Sequence, residues 1–323
     1  MFNRHILAIT GLIIALALFI WLLINSRTED ISTIFRLIDI EIVVFLLLLQ
    51  VLTVLLVSLQ WKMLFKASMI SLSYKKVLMM NFIGTFFESI TPAMKSGGEA
   101  FKLVYLKENA IPVSSSAPIL LVQKLISFTV FLLLAMLSFL TMFNQLNENL
   151  NRIVIVSLSF FMIAILIGLS VLLLLLRSKH KSSLIQTIKT SLIALQNTLK
   201  TSKHKYFTLI FVSITIWLLF ALKLYIILRI FIFDIQFLEA AFLTYIPYAI
   251  GLLPLAPGGL GTFEATMTYL LYPGYMQYSS ALTVTLVFRF ITHWFVFFLA
   301  ILYITYCALS KRRISYEKLD NSS

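Results

Sequence analysis

The chain has 323 residues, of which 60% are hydrophobic and only 12% are charged, and its formal net charge is +13. A soluble domain of this size cannot hide that much apolar surface, so the composition excludes a soluble protein and predicts a membrane protein covered by lipid. The basic residues are concentrated in a few loops, where they orient the chain in the membrane and contact anionic lipid headgroups. We therefore exclude nucleic acid as a partner. The one cysteine permits no internal disulfide, and the four histidines lack metal-ligand spacing, so no metal or cofactor is predicted.

Six apolar runs are long enough to cross a bilayer, which takes about 20 residues. They are residues 6–24, 40–60, 117–143, 153–176, 206–228 and 281–308. Two further apolar stretches, at about 76–92 and 238–272, are interrupted by proline and glycine. No small-x-small cleavage site follows the first run, so we expect that run to be retained as a helix. The pattern predicts an all-α polytopic membrane protein with one transmembrane domain over 1–323.

Basic residues in the loops orient the chain, because cytoplasmic loops carry an excess of lysine and arginine. The basic, acid-free segments are 62–76, 177–205 and 311–313, and the neutral or acidic loops are 25–39, 144–152 and 229–239. We therefore predict a multi-pass protein of a prokaryotic plasma membrane, with both termini in the cytoplasm. Apolar residues at helical spacing over 182–200 predict an amphipathic helix on the inner leaflet.

This orientation gives the two interrupted stretches an unusual path. The first starts in the cytoplasm and the run after it must start there too, so residues 76–116 must enter the membrane and return. By the same argument, residues 238–272 enter the membrane from the outside and return to the outside. Both stretches are predicted re-entrant hairpins, and with their flanking runs they form a predicted inverted repeat of about 40–143 and 206–308. Inverted repeats place broken helices and a substrate site at the interface between the repeats.

The first hairpin turns at a proline followed by Gly97 and Gly98. Such backbone cannot face lipid, because its polar groups would be unsatisfied. A helix that begins near Gly98 would aim its N–H groups and positive dipole end into a cavity, and Lys95 and Lys102 would make that cavity suitable for an anion such as a phosphate headgroup. Glu99 is expected to cap this helix or to pair with one of the lysines. The alternative is a cytoplasmic loop with a glycine turn and solvated charges.

The second hairpin turns at two prolines and three glycines within eight residues, a composition that would be costly in a simple spanning helix. Its site members are Pro257, Gly258, Gly259 and Gly261. Glu264 follows in the apolar second arm, where an acid is costly unless it is paired or faces water. It is therefore a candidate functional acid. The alternative is an N-terminal helix cap that closes the turn, and both roles can hold at once.

Further ionisable residues lie at membrane depth. Arg289 is well inside the last run and is a candidate partner for the acid of the second motif or for a lipid phosphate. His293, one turn further, is interpreted as an interior histidine. Lys124 lies two turns into its run and is either a cavity residue or a residue that extends back to the cytoplasmic side. Lys223 and Arg229 approach the outer end of their run and are expected to extend to the interface.

At these residues the chain resembles the flippase-like proteins related to the transmembrane region of bacterial lysylphosphatidylglycerol synthases. The matching features, which cover nearly the whole chain, are Asn81 to Gly84, the first motif through Lys102, Gln123-Lys124, the second motif through Glu264, and Arg289. The chain departs from the family in two respects. Lys102 and Lys124 stand where the family usually has arginine, which alters phosphate recognition. The soluble aminoacyltransferase domain of the synthases also has no counterpart, so the resemblance implies lipid translocation without lysyl transfer.

We therefore expect a lipid flippase or lipid-transport protein, not an enzyme, that moves a phospholipid or a lipid-linked anionic headgroup across the cytoplasmic membrane. The expected phosphate-binding residues are Lys95, Lys102, Lys124 and Arg289, while Glu99 and Glu264 fix the hairpins or balance charge. Gly97, Gly98, Pro257, Gly258, Gly259 and Gly261 complete the predicted substrate-binding set. The expected partners are anionic or aminoacylated phospholipid or polyprenyl-phosphate-linked lipid, with a second copy of the chain or a lipid-modifying enzyme as further candidates. A membrane-embedded enzyme acting on lipid-linked substrates and a small-solute transporter are the alternatives.

Overall fold

The structure is a computed structural model. It describes residues 39–90, 96–143, 203–232, 234–251, 259–272 and 274–309, together with isolated positions between 155 and 193. The predicted run at 6–24 lies outside the described residues. The same holds, apart from those isolated positions, for the run at 153–176 and the surface helix at 182–200.

The regular elements of the described part are helical, as the composition predicts. They are α1 (Ile40–Ala67), α2 (Tyr74–Ile90), α3 (Ser96–Glu108), α4 (Val113–Met142), α5 (Lys203–Phe231), α6 (Phe237–Gly251), α7 (Thr262–Leu271), α8 (Tyr278–Arg289) and α9 (Phe295–Leu309). A π-helical segment, Phe290–Trp294, joins the last two helices into one continuous rod.

Within the described part, four helices are long and apolar enough to cross a membrane. They are Ile40–Ala67, Val113–Met142, Tyr206–Phe231 and Tyr278–Thr305. These helices correspond to the predicted runs at 40–60, 117–143, 206–228 and 281–308. Each of the four extends past one end of its predicted run, because hydropathy marks only the apolar stretch whereas helical hydrogen bonding continues into more polar ends.

The two interrupted stretches consist of shorter helices. The α2 and α3 helices, 17 and 13 residues long, pack against each other, and so do α6 and α7. At 1.5 Å per residue α2 is about 25 Å long and α6 about 22 Å, which is less than the roughly 30 Å of a hydrocarbon core. The predicted breaks therefore fall between α2 and α3 and between α6 and α7. Residues 91–95 and 252–258, which connect these helices, lie outside the described residues.

The shortness of α6 goes with its central position. Every side chain from Ala240 to Ala249 is buried, and the helix packs against α4, α5 and α7. A helix that is buried all round lies in the interior of a bundle. The largest hydrophobic core forms around it, with side chains contributed by α1, α4, α5, α7 and α8.

A smaller aromatic core brings the first hairpin to the last helices. Phe86 of α2 stacks on Phe297 of α9 with ring centroids 5.3 Å apart. Trp294 of the π-helical segment joins the same core, and Leu260, which lies just before α7, packs on it. Parts of both hairpins thus converge on one side of the final helix.

Candidate functional site

Four charged side chains from α2, α3 and α4 form what we call the first-hairpin charge cluster: Glu88, Glu99, Lys102 and Lys124. The Lys102 Nζ lies 3.0 Å from the Glu88 Oε1 and 3.1 Å from the Glu99 Oε1. The Lys124 Nζ lies 3.6 Å from the same Glu99 oxygen. Two glutamates thus face two lysines, and the cluster is neutral as a whole.

Two glycines position this cluster. A Cβ atom at Gly98 would lie 2.1 Å from the Glu88 Cγ and 2.7 Å from the Gly84 carbonyl oxygen. A Cβ atom at Gly84 would lie 2.9 Å from the Lys102 Cε. Side chains at these positions would therefore separate α2 from α3. The predicted break matters because it lets the two helices pack closely enough for Lys102 to bridge them.

The deeper lysine of the cluster is held in an aromatic environment. The Lys102 side chain is only 5% exposed, and its Nζ lies 5.1 Å from the centre of the Trp61 ring. Trp61 is itself buried and stacks on Phe65. Water is largely excluded, so the attraction between Lys102 and its two carboxylates is stronger than it would be at a surface.

The other end of the cluster is more open. The Lys124 side chain is 30% exposed, compared with 19% for Glu99. The second oxygen of Glu99, Oε2, is buried and accepts no hydrogen bond from the described residues. Lys124 is therefore the cluster cation that an approaching anion reaches most easily. Lys95, predicted to lie beside it, is outside the described residues.

The second motif forms a separate ion pair. The Arg289 Nε donates to the Glu264 Oε1 at 3.0 Å, and both side chains are less than 10% exposed. The Glu264 Oε2 accepts a hydrogen bond from the Gly261 backbone N–H at 2.7 Å. Glu264 thus caps the start of α7, which is one of its two predicted roles, and it also pairs with Arg289; its role as a functional acid stays a prediction. The guanidinium lies 4.5 Å from the centre of the Phe263 ring.

Glycine is required at two positions just before α7. Gly259 and Gly261 have φ angles of +70° and +78°, in the left-handed region that favours glycine. A Cβ at Gly259 would also lie 2.4 Å from the Gly251 carbonyl oxygen, so the returning chain contacts the end of α6 directly. Pro257 and Gly258 lie outside the described residues.

Lys223 contradicts the prediction that it extends to the interface. Its side chain is fully buried and donates hydrogen bonds to Gln50 and Thr53 of α1. The prediction was wrong because a helical side chain tilts toward the helix N-terminus, and for Lys223 this direction leads away from Phe231, the nearer end of α5. Arg229, six residues further, is exposed, and its extension to the interface stays a prediction.

Sequence reasoning gave no role to Glu88, Gln50 and Gln60. Glu88 completes the first-hairpin charge cluster, and Gln50 links Lys223 to the Thr292 carbonyl of the π-helical segment at 3.1 Å. Gln60 of α1 accepts from Gln123 of α4 at 3.1 Å. Each of these residues is an isolated polar position beside or within an apolar run, which is the available sequence signal. That signal does not identify the partner.

The described residues contain no group of three or more His, Cys, Asp or Glu side chains that could hold a metal ion. The described sites consist of lysine, arginine, glutamate and amide groups on packed helices. Such groups bind and release anions or protons, and they hold broken helices in place.

The fold and these sites define a helical membrane protein with charged groups buried between broken helices. Residues 8–300 match the family described as the lysylphosphatidylglycerol synthase TM region, and the chain belongs to that family. It is 25% identical over 318 residues to a UPF0104 membrane protein of Pyrococcus horikoshii, covering 90% of this chain and 93% of the relative. It is 23% identical over 337 residues to a UPF0104 membrane protein of Methanothermobacter thermautotrophicus, covering 97% and 98%. A 93-residue segment, 28% of each chain, is 32% identical to a UPF0104 membrane protein of Methanocaldococcus jannaschii.

Proposed function

We propose that this chain is a lipid flippase that moves a phosphate-bearing headgroup across the cytoplasmic membrane while the acyl chains stay in the bilayer. The first-hairpin charge cluster is the observation that carries the proposal, because ionisable residues inside a membrane protein are costly and mark functional pathways. The family match supports lipid as the substrate class, since its description names a synthase of a phospholipid. Anionic or aminoacylated phospholipids and polyprenyl-phosphate-linked lipids are the candidate substrates.

In this proposal the α2–α3 and α6–α7 pairs are re-entrant hairpins that enter from opposite faces, within an inverted repeat of 40–143 and 206–308. Two features support this topology. The helices are shorter than a hydrocarbon core, and the two helices of each pair pack against each other, as the two arms of a returning hairpin do. The basic loops and both termini are cytoplasmic by the positive-inside rule.

Headgroup binding proceeds by exchange of anions at Lys124. Before the headgroup arrives, Glu99 lies 3.6 Å from the Lys124 Nζ and 3.1 Å from the Lys102 Nζ. A phosphate that approaches the more exposed lysine displaces Glu99, which keeps its bond to Lys102. Each cation stays paired throughout, so no step leaves a charge buried without a partner. Lysine suits this exchange, because it binds phosphate as a point charge and releases it without breaking a bidentate contact.

In this mechanism the residues of the second hairpin have a structural role. Both oxygens of Glu264 are occupied, one by Arg289 and the other by the Gly261 N–H. This residue therefore fixes the α6–α7 turn against α8 and does not itself carry the headgroup. Lys95, Pro257 and Gly258 lie outside the described residues, and their part in headgroup binding stays a prediction.

The proposal assigns no covalent chemistry to the chain, which therefore is not an enzyme in this account. The alternative, a membrane-embedded enzyme acting on lipid-linked substrates, predicts a new or missing covalent lipid species when the gene is deleted. Lipid profiles of the deletion strain and its parent distinguish the two. A flippase changes the distribution of lipid between the leaflets and leaves the set of lipid species intact.

The test is translocation of fluorescent lipids in proteoliposomes. We expect the wild type to move at least one of an anionic, an aminoacylated or a polyprenyl-phosphate lipid faster than empty vesicles do. Lys124→Met should reduce the rate by about tenfold or more, because one charge-assisted contact to phosphate is lost. Lys66→Met is the matched control, since Lys66 is an exposed lysine on α1. A wild type no faster than empty vesicles with all three lipids contradicts the proposal.

A further inference from the structure

The fully buried Lys223 is a charged group that headgroup binding does not use. Its Nζ donates to the Gln50 Oε1 and, at 3.1 Å, to the Thr53 Oγ1. Within the described part of the chain, no carboxylate lies within ion-pair distance of it. A lysine buried among neutral groups is held in place by hydrogen bonds alone, so its protonation state is not fixed by a counter-charge.

Both acceptors are fixed in that role by their own hydrogen bonds. The amide nitrogen of Gln50 donates to the Thr292 carbonyl at 3.1 Å, which turns its oxygen toward Lys223. The Thr53 hydroxyl donates to the Leu49 carbonyl at 2.8 Å, which leaves an oxygen lone pair for the lysine. Lys223 is therefore the donor in both contacts.

The number of acceptors suits both forms of the amine. A neutral amine has two N–H bonds, and Gln50 and Thr53 accept both. An ammonium has a third N–H bond, and the Phe220 ring centre lies 4.2 Å from the Lys223 Nζ, where a ring face stabilises positive charge. The surroundings of Lys223 can thus hold the residue with or without the extra proton.

The depth of this group in the helix bundle suits a coupling site. Lys223 lies eight residues before the end of α5, and Gln50 lies ten residues after the start of α1. At 1.5 Å per residue these separations are about 12 Å and about 15 Å, close to half of a 30 Å hydrocarbon core. Coupling-ion sites of transporters built from inverted repeats lie near the bilayer midplane.

The helices around Lys223 carry other charged and titratable groups. Four helices pack on α5, namely α1, α4, α6 and α8. Their charged residues are Glu41, Lys62 and Lys66 on α1, Lys124 on α4, Glu239 on α6 and Arg289 on α8, and their tyrosines are Tyr245, Tyr248 and Tyr278. The α5 helix itself carries Lys203, His204, Lys205, Tyr206, Tyr225 and Arg229. Among the described contacts, none of these side chains bonds to Lys223.

We infer that Lys223, with Gln50 and Thr53, is a proton-binding site near the membrane midplane that couples headgroup movement to the proton gradient. The coupling rests on the proposed function, whereas proton binding does not. In each cycle the ammonium gives one proton to water on one face and the amine takes one proton from water on the other. Gln50 connects this exchange to Thr292, three residues after Arg289, in a π-helical segment of the kind often found at functional sites.

Two readouts on the purified full chain test the inference. Nuclear magnetic resonance of ¹⁵N-lysine protein should contain one side-chain signal that changes from ammonium to amine at a pH at which exposed lysines stay charged. Lys223→Met should remove that signal, and Gln50→Glu should hold it in the ammonium form by supplying a carboxylate. Arg229→Met, an exposed cation on the same helix, is the control and should leave the signal unchanged.

The second readout is lipid distribution in proteoliposomes under an imposed pH difference. With one proton per lipid, one pH unit should produce about a tenfold leaflet asymmetry in the wild type, and Lys223→Met should abolish the asymmetry while passive movement continues. An unchanged asymmetry in Lys223→Met, or a signal that titrates like that of exposed lysines, overturns the inference. If no protein moves lipid but the lysine signal titrates as described, the proposed function fails and the proton site stands.

Discussion

Lys102 and Lys223 are both buried lysines of one chain, and their surroundings are opposite. Lys102 bridges two carboxylates, Glu88 and Glu99, across a break between two helices. Among the described residues, the Lys223 amine bonds to the neutral oxygens of Gln50 and Thr53 and lies over an aromatic ring. Burial alone therefore does not define what a lysine does. The first lysine closes a neutral cluster and fixes two helices, whereas the second carries a charge whose presence can change.

Removing the charge of each lysine tests this difference most directly. Lys102→Met removes the cation that bridges Glu88 and Glu99 between two helices, and we expect it to lower the free energy of unfolding by about 3–5 kcal/mol. Lys223→Met removes an uncompensated charge while keeping similar volume, so its effect should stay within about 1 kcal/mol or be stabilising. Chemical denaturation in detergent, monitored by circular dichroism, measures both.

The control for this pair is Lys107→Met, an exposed lysine five residues from Lys102 on the same helix. Its free energy of unfolding should change by less than about 0.5 kcal/mol. Equal losses in Lys102→Met and Lys223→Met would mean that the two buried lysines do not differ as described.

The ion pair of the second hairpin provides an intermediate case. Glu264→Gln keeps an oxygen for the Gly261 N–H but removes the charge that Arg289 needs. We expect a loss of about 2–3 kcal/mol, the value of hydrogen bonds to charged groups. Glu239→Gln, on an acid at the start of α6, is the control. Thermal unfolding in detergent measures the stability of both variants. A Glu264→Gln variant as stable as its control would contradict a structural role for Glu264.

The close contact between α2 and α3 predicts that a larger residue at Gly98 destabilises the protein. Gly98→Ala would place a methyl group 2.1 Å from the Glu88 Cγ, so the helices must separate. The expected destabilisation is about 1–3 kcal/mol, as for other overpacked sites. Gly274→Ala is the control, because no atom lies within 4 Å of a Cβ at that glycine. Equal melting temperatures for the two variants would contradict the close packing.

The smallest expected effect concerns exchange at Lys124. Glu99→Gln removes the carboxylate that competes with phosphate, so the affinity for a phosphate-bearing lipid should rise about tenfold, equivalent to about 1.4 kcal/mol. Turnover should fall, because the bound headgroup no longer has an anion to replace it. Glu108→Gln, an exposed acid on the same helix, is the control. Lipid binding in nanodiscs and transport in vesicles measure the two changes separately, and an unchanged affinity contradicts the exchange.

Much of the framework could be predicted from the sequence. Hydropathy predicts the four long helices, and proline and glycine predict the breaks on either side of which α2, α3, α6 and α7 form. The acid in the second apolar arm was expected to cap a helix and to be a partner for Arg289, and the structure contains both contacts. These features are local in sequence or follow from the high cost of an unpaired charge in an apolar run.

The remaining features depend on contacts between distant segments. Glu88 joins the first cluster only because α2 and α3 meet at Gly84 and Gly98, and a linear pattern does not define which glycines touch. Lys223 points into the bundle because of the direction of its Cα–Cβ bond, which hydropathy ignores. The π-helical segment lies within the last predicted run, and one extra residue in a helical turn does not change the hydropathy of the run, so it produces no signal.

The central claim is that a headgroup phosphate displaces Glu99 from Lys124. The most direct measurement is a cryo-electron microscopy map of the wild type in nanodiscs that contain the lipid it transports fastest. We predict phosphate density within about 3 Å of the Lys124 Nζ, with Glu99 moved away from Lys124 and still bonded to Lys102. A map in which Glu99 still contacts Lys124 while the headgroup binds elsewhere on the protein would contradict the account.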